Sequence, residues 1–332
     1  MYQLKIHQLP FKFVLLFFAF IPFTSSCQNP ASAKFPGRGD GAFVYFPPAG
    51  TLIFAGAVSD HAGAAQNDIW KWNGKSWSNE FLPGPGLRDF FPGDFNPETG
   101  TVWFYGGHDN PAGVIWSFDG NNWTKIPIQG LDNRDHHQMV YADHLKAFVA
   151  YGGNNQRMDL DTSTWIIKDG KATALIIPGP GIRYHSAMAY DKNRKKVVLY
   201  GGGEKPSELW EFDGKQWQKI TRDVSPGKKL YHHMVYDENL KMVILHGGWH
   251  NQDPNDPFNG LTPETWGWDG NSWTKITQQN VFAHAMGYDA TRKVVVAYGR
   301  SGSSNNFPFG VWNLQNGKWE KIADYDTAKG AN

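Results

Sequence analysis

One phrase recurs six times along the chain, and that repetition restricts the fold more than any other feature. From Arg183 to Ile220 it reads RYHSAMAYDKNRKKVVLYGGGEKPSELWEFDGKQWQKI. Four short β-branched or aromatic runs are visible (SAMAYD, VVLYGG, LWEFDG and WQKI), with turn residues between them. The Asp-Gly after the third run is a hairpin signal. Copies begin at Arg38, Arg88, Arg134, Arg183, Lys229 and Val281, a spacing of about 45 to 55 residues, which is the period of propeller blades. A four-stranded blade cannot bury both faces alone, so such units stack radially and hide each other's sheets. The pattern predicts an all-β chain: a six-bladed β-propeller with four antiparallel strands per blade.

The marks of the phrase are a Gly doublet ending the second run and a Trp opening the fourth. The doublets are Gly106-Gly107, Gly152-Gly153, Gly201-Gly202 and Gly247-Gly248; the tryptophans are Trp77, Trp123, Trp217, Trp273 and Trp319. In these residues the chain resembles a kelch propeller across essentially the whole of the part that follows the leader. Blade 1 departs with Ala55-Gly56, blade 6 with Gly299-Arg300, and blade 3 has Lys171 to Ala174 near the place of the Trp. Blade boundaries fall at 38–84, 85–130, 131–179, 180–225, 226–279 and 280–325, with a tail at 326–332. The ring either closes without exchanging a strand, or Pro30 to Gly37 or Ala323 to Tyr325 completes an edge.

Residues 1–26 read as a targeting segment. Lys5 and Lys12 precede an apolar run from Phe13 to Phe23, and small residues lead to Cys27, the sole cysteine. The run is too short to span a bilayer stably. TSSC resembles a bacterial lipobox, although Thr24 stands where lipoboxes usually carry Leu. The resemblance implies cleavage before Cys27, acylation including palmitate, and membrane anchoring by more than one chain. An ordinary cleaved signal is the alternative. Residues 27–37 then form a tether, and the expected address is the bacterial cell envelope, periplasmic or surface-facing. A single cysteine excludes an intrachain disulfide and a thiolate metal cluster.

A formal net charge of +1 gives no global field for nucleic acid, so any charge-based recognition is local. Aligning the copies on the aromatic that ends the first run (Tyr45, Phe95, Tyr141, Tyr190, Tyr236, Tyr288) reveals three columns. Seven residues earlier stand Arg38, Arg88, Arg134, Arg183, Lys229 and Val281. Next come Asp40, Phe90, His136, His185, Tyr231 and Ala283, followed by Gly41, Phe91, His137, Ser186, His232 and His284. First strands are innermost, so these columns converge on one mouth of the central channel. A cationic ring there suits an anion, because Arg presents bidentate donors to carboxylate, sulfate or phosphate. The alternative is structural pairing, with Asp89, Asp132 and Asp135 close by. Adjacent histidines point to opposite faces of a strand, which is poor for chelation, and no metal is expected.

Loops between second and third strands add Asp60, His61, His108, Asp109, Glu204, Trp249, His250 and Arg300. The candidate ligand-binding residues are therefore Arg38, Arg88, Arg134, Arg183, Lys229, His136, His185, His232, His284, Trp249 and Arg300. The reading favours a monomeric, cofactor-free binding module for a carbohydrate (an anionic one for preference) or a peptide. Two alternatives stand beside it. The chain is similar in architecture to N-acetylneuraminate epimerase-type kelch proteins, which implies a sugar epimerase or mutarotase using Arg183, Glu204 and His185, although no motif beyond kelch supports it. A protein-interaction scaffold is the other. The resemblance to galactose oxidase is in fold only, since its Tyr–Cys crosslink has no mature cysteine here but Cys27.

Overall fold

The structure, a computed structural model, describes residues 38–39, 41–56, 58–59, 68–82, 84, 90–107, 112–155, 161–203, 205–249, 260–302 and 309–325. The expected wheel is present: six four-stranded antiparallel sheets form six blades. Blade 1 comprises Ala42–Phe46, Thr51–Ala55, Asp68–Trp72 and Trp77–Phe81, and blade 2 Gly93–Asn96, Thr101–Tyr105, Val114–Phe118 and Trp123–Pro127. Blade 3 comprises Gln138–Ala142, Ala147–Tyr151, Thr164–Lys168 and Lys171–Leu175, and blade 4 Ala187–Asp191, Lys196–Tyr200, Leu209–Phe212 and Trp217–Ile220. Blade 5 comprises His233–Asp237, Met242–His246, Glu264–Trp268 and Trp273–Gln278, and blade 6 Phe282–Asp289, Val294–Arg300, Phe309–Gln315 and Lys318–Tyr325.

Each sheet uses its own four strands in chain order, so the ring closes with no strand exchanged among the described residues. Packing does the closing. Every joint between neighbouring blades holds one cluster of buried side chains, and the joint between blades 6 and 1 is built like the other five. There Leu52, Phe54 and Trp77 meet Val296, Tyr298 and Val311. Tyr45 and Thr291 hydrogen-bond through their hydroxyls at 2.6 Å across the same joint.

The tryptophans that open fourth strands serve these joints. Trp217 of blade 4 donates from its indole to Thr164 of blade 3 at 2.7 Å, and Trp319 of blade 6 to Thr265 of blade 5 at 2.8 Å. Both threonines are buried, so each bond satisfies a hydroxyl that burial would otherwise penalise. The Gly doublets have a second use. Gly107, Gly153 and Gly202 donate their amides to the carbonyls of Arg134, Arg183 and Lys229 on the following blade, at 2.9, 2.7 and 3.0 Å. The cationic column and the Gly column are thus two halves of one linkage.

Candidate ligand site at the channel mouth

First strands from all six blades surround a channel of about 1100 Å³. Its upstream mouth is where those strands begin, and its downstream mouth is where they end. Three members of the cationic column stay out of this cavity. Arg134 is 1% exposed and pairs with Asp132 at 2.6 Å and Asp161 at 2.7 Å, and it also donates to the Gly152 carbonyl. Arg183 pairs with Glu208 at 2.7 Å. Lys229 donates to Thr262 at 2.5 Å and lies 3.5 Å from Glu264.

Each of these acids belongs to the same blade as its cation. Trp165, Trp210 and Trp266 donate their indole N–H groups to Asp161, Glu208 and Glu264, and Lys219 and Lys275 add second ion pairs to the two glutamates. Burial opposes ionisation of Glu208, but its hydrogen bonds from Lys219, Trp210 and Arg183 hold the carboxyl below the usual range. The expectation of an anion-attracting ring is corrected for Arg134, Arg183 and Lys229. A cation this deep needs a counter-ion, and the fold supplies one from its own blade. The same pairing removes Arg183 from the enzymatic reading. Arg38 contributes backbone pairing with Ser59. Arg88, Glu204, His250, His108 and Cys27 lie outside the described residues.

The next column edges the upstream mouth. Phe90, His136, His185 and Tyr231 all line the channel. Phe90 stacks on His136 with ring centroids 3.9 Å apart, His136 meets His185 edge-to-face at 4.5 Å, and His185 stacks on Tyr231 at 3.8 Å. The result is a continuous arc over blades 2 to 5. Tyr231 Oη and His185 Nε2 are hydrogen-bonded at 2.8 Å, and His136 Nδ1 lies 2.6 Å from Asp135, which also accepts from Asn154. Burial, then the neighbouring His136, pulls His185 down to about 4, so it is a neutral ring at physiological pH.

All four residues have left-handed backbone, with φ of 51°, 55°, 54° and 54°. Glycine adopts that region without penalty, whereas a side chain there costs on the order of 1–2 kcal/mol. Left-handed residues also recur at the hairpins joining first and second strands, at Lys146, Lys195, Lys241 and Lys293, but at this mouth the same conformation carries four bulky rings. Backbone bonds between blades fix the arc: the His136 amide donates to the Phe90 carbonyl and the Tyr231 amide to the His185 carbonyl, both at 3.0 Å. Trp249 flanks Tyr231 at 6.4 Å on the rim, bridged by backbone to Leu230 and Leu261. Blade 6 places the small Ala283 in this column, so the arc leaves that side open.

No family model matches the sequence, and no curated protein matches it. Among solved structures, one described as "Structure of YjhT" superposes with a TM-score of 0.65, covering 87% of this chain and 98% of its own at 13% identity. The six-bladed propeller is therefore shared with a known structure. At that identity the likeness extends to the fold alone.

The remaining predicted residues divide by depth. His232 and His284 line the channel just inside the arc and are neutral rings. Burial pushes His232 far down, and it pulls His284 to about 3 with help from Arg300. Arg300 also lines the channel, with its guanidinium 4.5 Å from the Phe309 ring centre. On blade 5 His232 lies edge-on to Tyr200 at 5.8 Å with neither ring nitrogen hydrogen-bonded, and on blade 3 His137 holds the same place and also lines the channel. It is buried edge-on against Tyr105 at 4.5 Å, neither ring nitrogen has a hydrogen-bond partner, and burial holds it neutral. Sequence reading missed Asp94 on the channel wall and the left-handed backbone of the arc. Phe90 and Tyr231 stood in the right column without being chosen.

Proposed function

We propose that this chain is a kelch-type, lipid-anchored binding protein of the bacterial cell envelope whose channel takes a carbohydrate at the upstream mouth. The stacked arc carries this reading. Phe90 and Tyr231 offer apolar ring faces, Trp249 adds a second platform at the rim, and the imidazoles of His136 and His185 between them exchange hydrogen bonds with hydroxyls. A concave cavity with aromatic walls and convergent polar groups is the ordinary form of a small-ligand site. Arg134, Arg183 and Lys229 are held by acids, and the cationic side chains lining the channel among the described residues are Lys192 and Arg300.

The in-phase Gly doublets and tryptophans support the kelch assignment, and the sole cysteine after an apolar leader supports the anchor. The test is a printed array of neutral, acidic and amino-sugar oligosaccharides probed with the purified chain. Binding that is lost in the His185→Ala, Tyr231→Ala double variant and retained in Arg183→Met supports the reading; an array with no bound glycan refutes it. For the anchor, cells fed labelled palmitate should mark the wild type and leave Cys27→Ala unmarked.

A further inference from the structure

The channel wall carries one carboxylate that blade architecture does not require. On the first strands, the position just before the aligned aromatic reads Val44, Asp94, Val140, Ala189, Val235 and Gly287. Five blades place an apolar side chain or none there, and blade 2 places an acid. Asp94 lines the cavity. Its Oδ1 accepts from the Phe95 amide and its Oδ2 from the Tyr141 amide on blade 3, both at 2.8 Å.

Capping the Tyr141 amide is the obvious structural task for Asp94. The other blades argue against its necessity, because Val, Ala and Gly have no side-chain acceptor to offer the next blade, and those joints form equally well. Burial raises the Asp94 carboxyl to about 6, so the wall holds an ionised group at neutral pH against the cost of desolvation. A carboxylate has about four acceptor sites, and the two amides use two of them. Nearby, Lys192 is committed to Glu238 at 2.5 Å. Asp94 stands on the strand that follows Phe90, four positions below the arc, which at about 3.3 Å per residue is about 13 Å into the channel.

We propose that Asp94 is the interior anchor of the bound carbohydrate: its carboxylate accepts hydrogen bonds from ligand hydroxyls while the arc holds another ring at the mouth. This inference rests on the carbohydrate reading above and sharpens it. A ligand spanning both points is the end of an oligosaccharide threaded into the channel, and a single sugar resting on the rim reaches only one of them.

The test uses the same glycan array with Asp94→Val, which restores the residue of blades 1, 3 and 5, and with Asp94→Asn, which keeps the shape. The expected result is that Asp94→Val folds, melts no lower than wild type, and loses at least tenfold in affinity for the oligosaccharides the wild type retains. Asp94→Asn should lose less. Should Asp94→Val bind those oligosaccharides as the wild type does, the anchor is refuted and the carbohydrate reading stands. If both variants lower the melting temperature and lose binding in proportion, Asp94 is a structural cap and the anchor is again refuted. An array on which the wild type retains nothing overturns the carbohydrate reading, and the anchor with it.

Discussion

The Arg183 carbonyl oxygen accepts a hydrogen bond from the Gly153 amide at 2.7 Å, across the joint between blades 3 and 4. The backbone of Arg183 thus ties it to the preceding blade, while its side chain ties it to Glu208 of its own. Gly153 has φ of 82°, and a Cβ there would collide with the Asp135 carbonyl and meet the His137 Cβ at 2.7 Å. Gly153→Ala should therefore cost on the order of 2–4 kcal/mol, combining left-handed strain with overpacking. Gly100, at φ of 70° with nothing near its would-be Cβ, provides the control. Gly100→Ala should cost only the strain, about 1 kcal/mol. Urea unfolding of the two variants compares them directly.

Arg134 is the most deeply committed of the basic column. Arg134→Met strands Asp132 and Asp161 without their cation, and breaking a buried pair from one side typically costs about 3–5 kcal/mol. Adding Asp161→Asn removes one of the stranded charges and should recover part of that loss. Arg183→Met should cost less, because Glu208 retains Lys219 at 2.5 Å and the Trp210 indole at 3.0 Å. Neither change should alter the salt dependence of ligand binding. A double-mutant cycle by chemical denaturation measures the coupling, and salt titrations of binding check the second point.

The wheel was legible because four-strand phrases recur in register, so six weak signals reinforce one another. The linkage between columns was half legible. Gly doublets and basic residues stood out separately, but a carbonyl-to-amide bond has no side-chain signature. The acids Asp161, Glu208 and Glu264 were missed because each reaches its cation across a loop. Glu208 and Glu264 each stand two residues before a third-strand Trp, which was the available signal; in blade 3 it is blurred, with Asp161 four residues before Trp165. The arc was harder still. Left-handed turns announce themselves through Gly or Asn, whereas Phe90, His136, His185 and Tyr231 break that rule. Such local violations are where function tends to override propensity. Asp94 was hidden by the alignment, since the columns singled out lie three to six positions upstream of it.

The pH dependence of stability should carry the imprint of Asp94. Its carboxyl is pushed up to about 6 by burial, so the folded chain holds this proton more tightly than the unfolded chain, where the value is near 4. Stability from protonated Asp94 is fully present below pH 4 and is lost as pH rises through about 6. At about 1.4 kcal/mol per pKa unit, the ionised form costs on the order of 3 kcal/mol at pH 8. Asp94→Asn abolishes this titration. It should stabilise the fold by about 1–3 kcal/mol at pH 8, part of the gain being offset because an amide accepts through one atom only. Near pH 4 the variant and wild type should differ little. Urea midpoints measured at both values settle the sign.

Tyr231 sets stability against recognition most directly. It is 45% exposed, it occupies left-handed backbone at φ of 54°, and its ring stacks on His185 at 3.8 Å. Tyr231→Gly relieves strain of about 1–2 kcal/mol and gives up a ring pair of about 0.5–1.5 kcal/mol and the hydrogen bond to His185, about 0.5–1.5 kcal/mol at most for so exposed a group. These effects nearly cancel, so the variant should stay within about 1 kcal/mol of wild type in urea unfolding. Binding should behave otherwise. Removing the exposed platform at the rim should weaken retained oligosaccharides about tenfold or more, with the larger effect on dissociation, since contacts made after encounter govern residence. A large stability loss with unchanged affinity would mean that the arc is a structural plug. A silent stability change with lost affinity would show that four strained residues are kept for what they hold.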